Sequence, residues 1–292
     1  MTVYIPTGVV GVPSYFHNPI ISVLANGEAI QLLISLLIFD PSNLNAAWTS
    51  FAAGYSALLH PSSSSSDEPL PRALQLQPFG IELPHLGRVF AIGATWASDD
   101  QAEGRRWIDR IAALVGPCIV NDPKPTSVAA YAEFNESLVT FGSFGRCYTL
   151  NLARLTPAVA GVLAKHTAAL PGGGIGLAVH TLREQPAVSG TAPPPPSVFG
   201  ARVPHHMVEL VAATATPELE AAGAEWAARV LRELREVDPR NVLESSYVSL
   251  VGTGDDADYR RIYGGHYDVL VELKRKYDPR NVFKYAVPRL FS

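Results

Sequence analysis

The sequence predicts an α+β fold in which an antiparallel sheet carries helices packed on one of its faces. Three observations predict it. Helix-forming blocks open on explicit start signals, as at Thr156-Pro157 and Thr216-Pro217, and each is followed by an apolar block of strand length. The blocks at 175–183 and 197–213 flank the proline-rich stretch PAVSGTAPPPPS and read as the arms of a long-looped antiparallel hairpin. At 292 residues and 47% hydrophobic composition, the chain is long and apolar enough to bury a substantial core. In such a layered arrangement one sheet face meets the helices, and the other is left to cover a ligand pocket or a dimer interface.

Taken in order, residues 4–23 read as extended chain punctuated by turns, and 27–39 as a buried helix ended by Asp40-Pro41. Within it IQLLISLLIF, ten residues long, is the most apolar run. It falls short of the roughly 20 residues that a membrane span needs. The block 45–59 is open between helix and buried strand, with helix favoured, and 60–71 reads as a mobile loop because PSSSSSDEPLP has no apolar anchor. Gly87 to Ala97 has the β-branched and aromatic character of a strand. Asp99-Asp100 then caps a helix that turns Trp107, Ile108, Ile111, Leu114 and Val115 inward. The Thr156 helix buries Val159, Leu163 and Leu170, and the Thr216 helix Leu219, Trp226, Val230 and Leu234. A further mobile loop is expected at 185–197 and a further strand at 245–251.

The net charge of −4, from 23 basic and 27 acidic residues spread along the chain, leaves no basic stripe to follow a phosphate backbone, so a nucleic-acid partner is not expected. Cys118 and Cys147 are no disulfide framework, and no His/Cys cluster has the spacing of a metal site. The N-terminus lacks a basic leader and is broken by Pro6, Gly8, Gly11 and Pro13, so the expectation is a cytoplasmic protein with no membrane partner. Pro171-Gly-Gly-Gly lies between a helix and a strand, the reverse of the order a phosphate loop requires.

At the C-terminal end, Tyr259, Ile262, Tyr263, His266, Leu270, Leu273 and Tyr277 recur three or four residues apart, with Arg261, Asp268, Glu272 and Arg275 opposite them. That spacing predicts one amphipathic helix with an aromatic-rich buried face, stopped at Asp278-Pro279. The stretch YGGHYDVLVELKRKYDPRNVF resembles the C-terminal signature of the berberine bridge enzyme-like FAD-linked oxidases, of the vanillyl-alcohol oxidase superfamily. Its usual form is YG-x-N-Y-x-x-L followed by K-x-x-x-D-P-x-N-x-F. Weaker likeness extends back through 89–115, LARLTPAVAGVL, SVFGARV and Tyr247-Val-Ser.

The resemblance implies one substrate-binding-type domain over residues 1–292, with 245–292 as the family's C-terminal segment. No stretch resembles the family's flavin-binding domain, and two flavin-side positions depart from its pattern. His266 and Ser249 both stand where the family usually has asparagine. The expectation is therefore a cofactor-independent isomerase or cyclase acting on an aromatic or polyketide-like natural product by acid-base or pericyclic ring chemistry. The alternatives are an FAD-dependent oxidase whose flavin domain is not in this chain, and a non-catalytic binding or partner protein.

His266 is read either as a core histidine or as a general acid or base. With it, Tyr247 is expected to trade a proton with the substrate while Arg202 steadies the developing negative charge. Tyr148, His180, His205, Tyr15 and His17 are expected to bind the substrate. His180 shares a strand face with Ala178 and Leu182, whereas the adjacent His205 and His206 point to opposite sides. An apolar sheet face without its flavin domain would be covered by a second copy or by the chain's own N-terminal arm, residues 2–19; a homodimer is expected.

Overall fold

The structure is a computed structural model, and it describes residues 31–61, 68–137, 142–183, 203–248, 250, 258–284, 288 and 290. In chain order the main elements are β1 (Leu32–Phe39), α1 (Leu44–Leu59), β2 (Leu74–Leu83), β3 (Gly87–Ala97) and α2 (Gln101–Val115). Next come β4 (Cys118–Val120), β5 (Lys124–Thr126), α3 (Val128–Ser137), β6 (Phe144–Leu152) and α4 (Pro157–Ala168). After these stand β7 (Gly176–Leu182), β8 (His205–Thr214), α5 (Glu220–Val237), α6 (Tyr259–Tyr263) and α7 (Tyr267–Tyr277).

The eight strands form one antiparallel sheet in the order β4-β1-β3-β2-β7-β8-β6, with β5 also paired to β1. The two halves of the sheet meet where Phe79 and Gly80 of β2 face Ala178 and Leu177 of β7. Helices α1, α2, α4 and α5 pack against one face, and the core lies between. Strand alternation sends Leu33, Leu37, Leu74, Leu76, Phe90, Ile92, Leu150, Leu177, Val179, Val208 and Leu210 to that side. There they meet Trp48, Phe51, Trp107, Val159, Leu163, Trp226 and Val230 from the helices. Each buried aromatic of this size is worth about 3–5 kcal/mol against truncation to alanine.

Gly80 sits where β2 passes under α4. A Cβ there would stand 2.1 Å from Thr167 Oγ1. That oxygen donates to Leu163 O at 2.8 Å and accepts from Trp48 Nε1 at 3.1 Å, so glycine at this position lets α1, α4 and the sheet close on one hydroxyl. Such close approach of backbone is the use of a glycine inside a strand.

The predicted strand Gly87–Ala97 and the helix over 45–59 are found, as are the hairpin pairing of β7 with β8 and the caps of α2 and α4. Asp100 accepts from Glu103 N, and Thr156 from Val159 N. The expected helix over 27–39 is instead strand β1 from Leu32, while 27–30 lie outside the described residues. Paired with β3 on one side and with β4 and β5 on the other, β1 is buried along its core face from Leu33 to Phe39 and at Leu32 and Ile38 on the other face, where Leu36 is 42% exposed. A short apolar run without alternation fits such a strand as well as a buried helix.

Three further expectations change. Thr216-Pro217 opens a short 3-10 turn over Pro217–Leu219 without a side-chain cap, and α5 begins only at Glu220. Of the strand expected over 245–251, residues 245–248 are irregular, because Asn241 pulls the preceding segment onto the end of β6. Its amide accepts from Arg154 N and donates to Arg154 O, both at 2.8 Å, and a bridge joins Leu152 to Val242. The single C-terminal helix is broken at Gly264, whose φ of 51° ends α6, and a 3-10 turn over Gly264–His266 leads into α7. The amphipathic face is buried over Tyr259, Ile262 and Tyr263 but not beyond, since Leu273 is 42% and Tyr277 73% exposed.

The sheet face away from the main helix layer is not bare in a single copy. Phe79, Val89, Ala91 and Ala178 on it are buried, and α3 reaches it through a 3.4 Å contact between Tyr131 Oη and Thr95 Oγ1. At β1 that cover is incomplete, since Leu36 on the same face is 42% exposed. Of the mobile loop expected over 60–71, residues 62–67 lie outside the described residues, while Leu70 is an apolar anchor buried in the core with its N–H donating to Leu58 O at 3.2 Å; the loop expected over 185–197 and the N-terminal arm also lie outside them. No helix among the described residues is long and apolar enough to cross a membrane.

Candidate functional site

Four strands bring a polar patch together on the face away from the main helix layer. Register places Asn151 of β6 opposite Met207 of β8, and Met207 opposite His180 of β7, which Gln77 of β2 approaches from the far side. One step along, Thr149 of β6 faces Glu209 of β8, and Glu209 faces Ala178 of β7. Local sequence sets these directions. Thr149 and Asn151 alternate with core-facing Leu150 and Leu152, and Glu209 lies between core-facing Val208 and Leu210.

At the centre, His180 Nε2 lies 2.8 Å from Glu209 Oε2, with side-chain exposures of 3% and 2%. A carboxylate this deep costs several kcal/mol unless a partner compensates it, and the imidazole N–H is that partner. With Nε2–H donated to Glu209, His180 Nδ1 carries a lone pair. Gln77 Nε2 is 3.4 Å from the same Nε2. On β6, Asn151 Nδ2 donates to Ser245 Oγ at 3.2 Å, which ties the segment after α5 to the patch.

Four atoms of the patch are buried without a hydrogen-bond partner among the described residues: His180 Nδ1, Glu209 Oε1, Thr149 Oγ1 and Asn151 Oδ1. Each such atom costs about 1–3 kcal/mol, so four on one face mark a place where stability is given up. Chemically, an imidazole backed by a carboxylate takes a proton on its free nitrogen while the carboxylate stabilises the resulting cation. Cys147 adds no nucleophile, since burial, helped by the charge on Glu209, pushes its thiol up to about 12. Among the described residues no group of three or more His, Cys, Asp or Glu side chains is placed to hold a metal ion.

Of the described residues singled out from sequence, only His180 stands at the centre of this patch. His205 lies on the same face, one pair further along β7 and β8, and its Nδ1–H donates to Val203 O at 2.8 Å. Burial pulls its pKa below the usual value, against the opposing effect of that carbonyl. His206 points to the helix side, where its Nδ1 is 3.0 Å from Thr181 Oγ1. Tyr148 also lies on the helix side, half-buried against the core and under the Arg146 guanidinium at 4.7 Å, away from His180. His266 is exposed in the turn between α6 and α7, not on a buried face, because the Gly264 break re-aims it. Tyr247 is half-buried in irregular chain rather than on a strand. Arg202, Tyr15 and His17 lie outside the described residues. Sequence reasoning passed over Glu209, Gln77, Thr149 and Asn151. Their signal was polar residues at every second position in strand-like segments, LQLQPF and CYTLNL, and one glutamate inside HHMVELVAA.

The family resemblance implies FAD, and the patch can be tested against it. Its orphaned atoms suit the polar edge of a ring, but the described residues offer no cradle for a pyrophosphate. Gly172, Gly173 and Gly174 follow a helix and precede a strand, and α2, which follows β3 directly, opens on the acidic cap Asp100. The described residues thus do not fit the cofactor as a whole.

Residues 256–287 match the family described as Berberine and berberine like. No curated protein matches the chain in sequence. Among solved structures, Physcomitrella patens BBE-like 1 superposes with a TM-score of 0.64 at 13% identity, over 90% of this chain and 55% of that one. GilR, described with pregilvocarcin as an oxidoreductase that catalyses the terminal step of gilvocarcin biosynthesis, gives 0.61 at 16% identity, over 87% and 55%. CrmK, described as a flavoenzyme in caerulomycin biosynthesis, gives 0.62 at 14%, over 88% and 55%. The chain spans about half the length of these structures, and it resembles berberine bridge enzyme-like oxidases in fold and in its C-terminal segment.

Proposed function

We propose, for a chain with this fold and this C-terminal segment, that it is the substrate side of a flavin-linked oxidation, with the His180–Glu209 pair as the base that takes a proton from a substrate hydroxyl. The observation that carries the reading is the burial of that pair beside orphaned polar atoms on the sheet face away from the main helix layer. A structural ion pair would have its remaining atoms satisfied. His180 Nδ1 and Glu209 Oε1 are not.

Similar structures described as oxidoreductases and flavoenzymes favour this reading over the cofactor-free isomerase or cyclase that the sequence put first. A flavin would supply the hydride acceptor, and the described residues offer no cradle for its pyrophosphate. The described residues do the rest: His180 Nδ1 accepts the hydroxyl proton and Glu209 stabilises the imidazolium.

The test is a visible spectrum of the purified protein with added FAD, followed by oxygen uptake with a panel of alcohols and phenols. A flavin absorbance and an uptake that falls roughly 10²-fold or more in His180→Gln are expected. Conversion of substrate by colourless protein without oxygen uptake overturns the reading in favour of the isomerase or cyclase.

A further inference from the structure

Helix α7 is amphipathic, yet none of its 11 residues is buried. Val269, Leu273 and Tyr277 stand four residues apart in one stripe and are 44%, 42% and 73% exposed. Asp278 at the end of the helix extends the patch. Its carboxylate accepts from Val282 N at 2.7 Å and Phe283 N at 3.1 Å and pairs with Lys274, which holds Val282 and Phe283 in place while they remain 65% and 68% exposed. Five large apolar side chains on one short helix and its fixed end are more than the scattered apolar residues of an ordinary surface.

A helix this short does not persist in water by propensity alone. Isolated helices below roughly 12–15 residues are marginal, and in proteins most of their stability comes from packing an apolar face. The neighbouring α6 meets that need by burying Tyr259, Ile262 and Tyr263. α7 leans on the same cluster through the partly buried Tyr267 and Leu270, and its stripe of Val269, Leu273 and Tyr277 is left to dock something else.

The charges beside the stripe say what docks there. Along one flank run Asp268, Glu272 and Lys276, all exposed and each one residue before a member of the stripe, with acid toward the N-terminal end and base toward the C-terminal end. A two-fold axis at Leu273 lays a second copy antiparallel, Val269 against the partner's Tyr277 and Leu273 against the partner's Leu273. The same axis turns like flanks toward each other, so Lys276 falls between the partner's Glu272 and the partner's Asp268, and the contact occurs twice. Asp268 already meets Arg260 at 3.4 Å in its own chain, which makes Glu272 the main acceptor. A parallel copy would set acid against acid. One patch that complements itself under a two-fold axis is what an isologous interface requires.

We propose that α7 is a dimerisation element whose occupant is a second copy of this chain, packed antiparallel through Val269, Leu273 and Tyr277. The proposal does not depend on the oxidation proposed above. With a helix about 16 Å long, the contact falls below the roughly 800 Å² per partner of a standard interface, so the dimer is a weak one that dissociates at roughly tens of micromolar.

The test is sedimentation velocity of the full chain over a concentration series from about 1 to about 300 μM, which brackets that affinity. Wild type is expected to pass from monomer to dimer across the series. Leu273→Glu sets two carboxylates against each other on the two-fold axis at an exposed position, and should remain monomeric throughout with an unchanged circular dichroism spectrum. Lys276→Glu and Glu272→Lys should each weaken the dimer about 3- to 10-fold, and the double variant Glu272→Lys with Lys276→Glu, which exchanges the two charges, should return to within about 2-fold of wild type. Wild type that stays monomeric overturns the proposal, and if that monomer then pellets with vesicles of phosphatidylserine and phosphatidylcholine, the face belongs to a membrane. A dimer indifferent to Leu273→Glu, or one that the charge exchange does not restore, also overturns it.

Discussion

His180 and Glu209 touch on a diagonal. In the β7–β8 register His180 faces Met207 and Glu209 faces Ala178, yet Nε2 and Oε2 meet at 2.8 Å across the pair. A one-residue slip of either strand would turn its own member of the pair into the helix layer, so the pair and the register support each other. Removing one member leaves the other buried without compensation. His180→Leu is expected to cost about 3–5 kcal/mol, whereas His180→Leu with Glu209→Leu should recover most of that loss and remain inactive. Urea denaturation of the two single variants and the double checks this. Costs that simply add would show that the pair is no unit.

Gly80→Ala puts a methyl group 2.1 Å from Thr167 Oγ1, the atom that also holds Trp48. The strand and α4 must part, at a cost of about 1–3 kcal/mol. Thr167→Ala in the same chain removes the clash, so the double variant should melt at a higher temperature than Gly80→Ala despite the lost hydrogen bonds. A Gly80→Ala protein as stable as wild type would mean that α4 is not seated on β2 as described.

His266→Asn replaces an exposed side chain in the turn between α6 and α7. Stability should move by no more than about 0.5 kcal/mol, and turnover should match wild type. A roughly 10²-fold loss of rate would restore His266 to the reacting centre.

Much of the fold was legible because its signals are local. Asp100 and Thr156 announce their helices, and the β7–β8 hairpin is visible as two apolar arms around a proline-rich stretch. β1 was not legible, since IQLLISLLIF lacks the alternation of a half-buried strand, and only its pairing on both edges decides the matter. The site was half legible. His180 drew attention as a histidine in an apolar strand, but Glu209 becomes its partner only through a register that no local pattern encodes. His266 misled for the opposite reason: its helical spacing is real in the sequence, and a single glycine with positive φ breaks the helix that would have buried it.

The last prediction concerns acid. Burial on the helix side, aided by the charges of His205 and His60, pushes His206 down to about 4 from an ordinary value of 6.5. Between those two values the unfolded chain binds a proton at this position and the folded chain does not. Stability therefore rises with pH across that window, is fully present above about 6.5, and is lost as pH falls toward 4, with a ceiling of about 3 kcal/mol from this group. His166 and His205, also lowered chiefly by burial, act in the same direction. Around His206 stand Thr181, which contacts its Nδ1, the Tyr55 ring at 6.4 Å and, near that tyrosine, Arg183. A protonated imidazole would thus face the positive charges of His205 and His60. His206→Gln keeps a polar group for Thr181 and cannot titrate. Urea midpoints taken from pH 7 to pH 5 should fall steeply in wild type and less in His206→Gln, with the residual slope belonging to His166 and His205. Parallel curves for the two proteins would show that His206 takes up its proton without leaving the folded state.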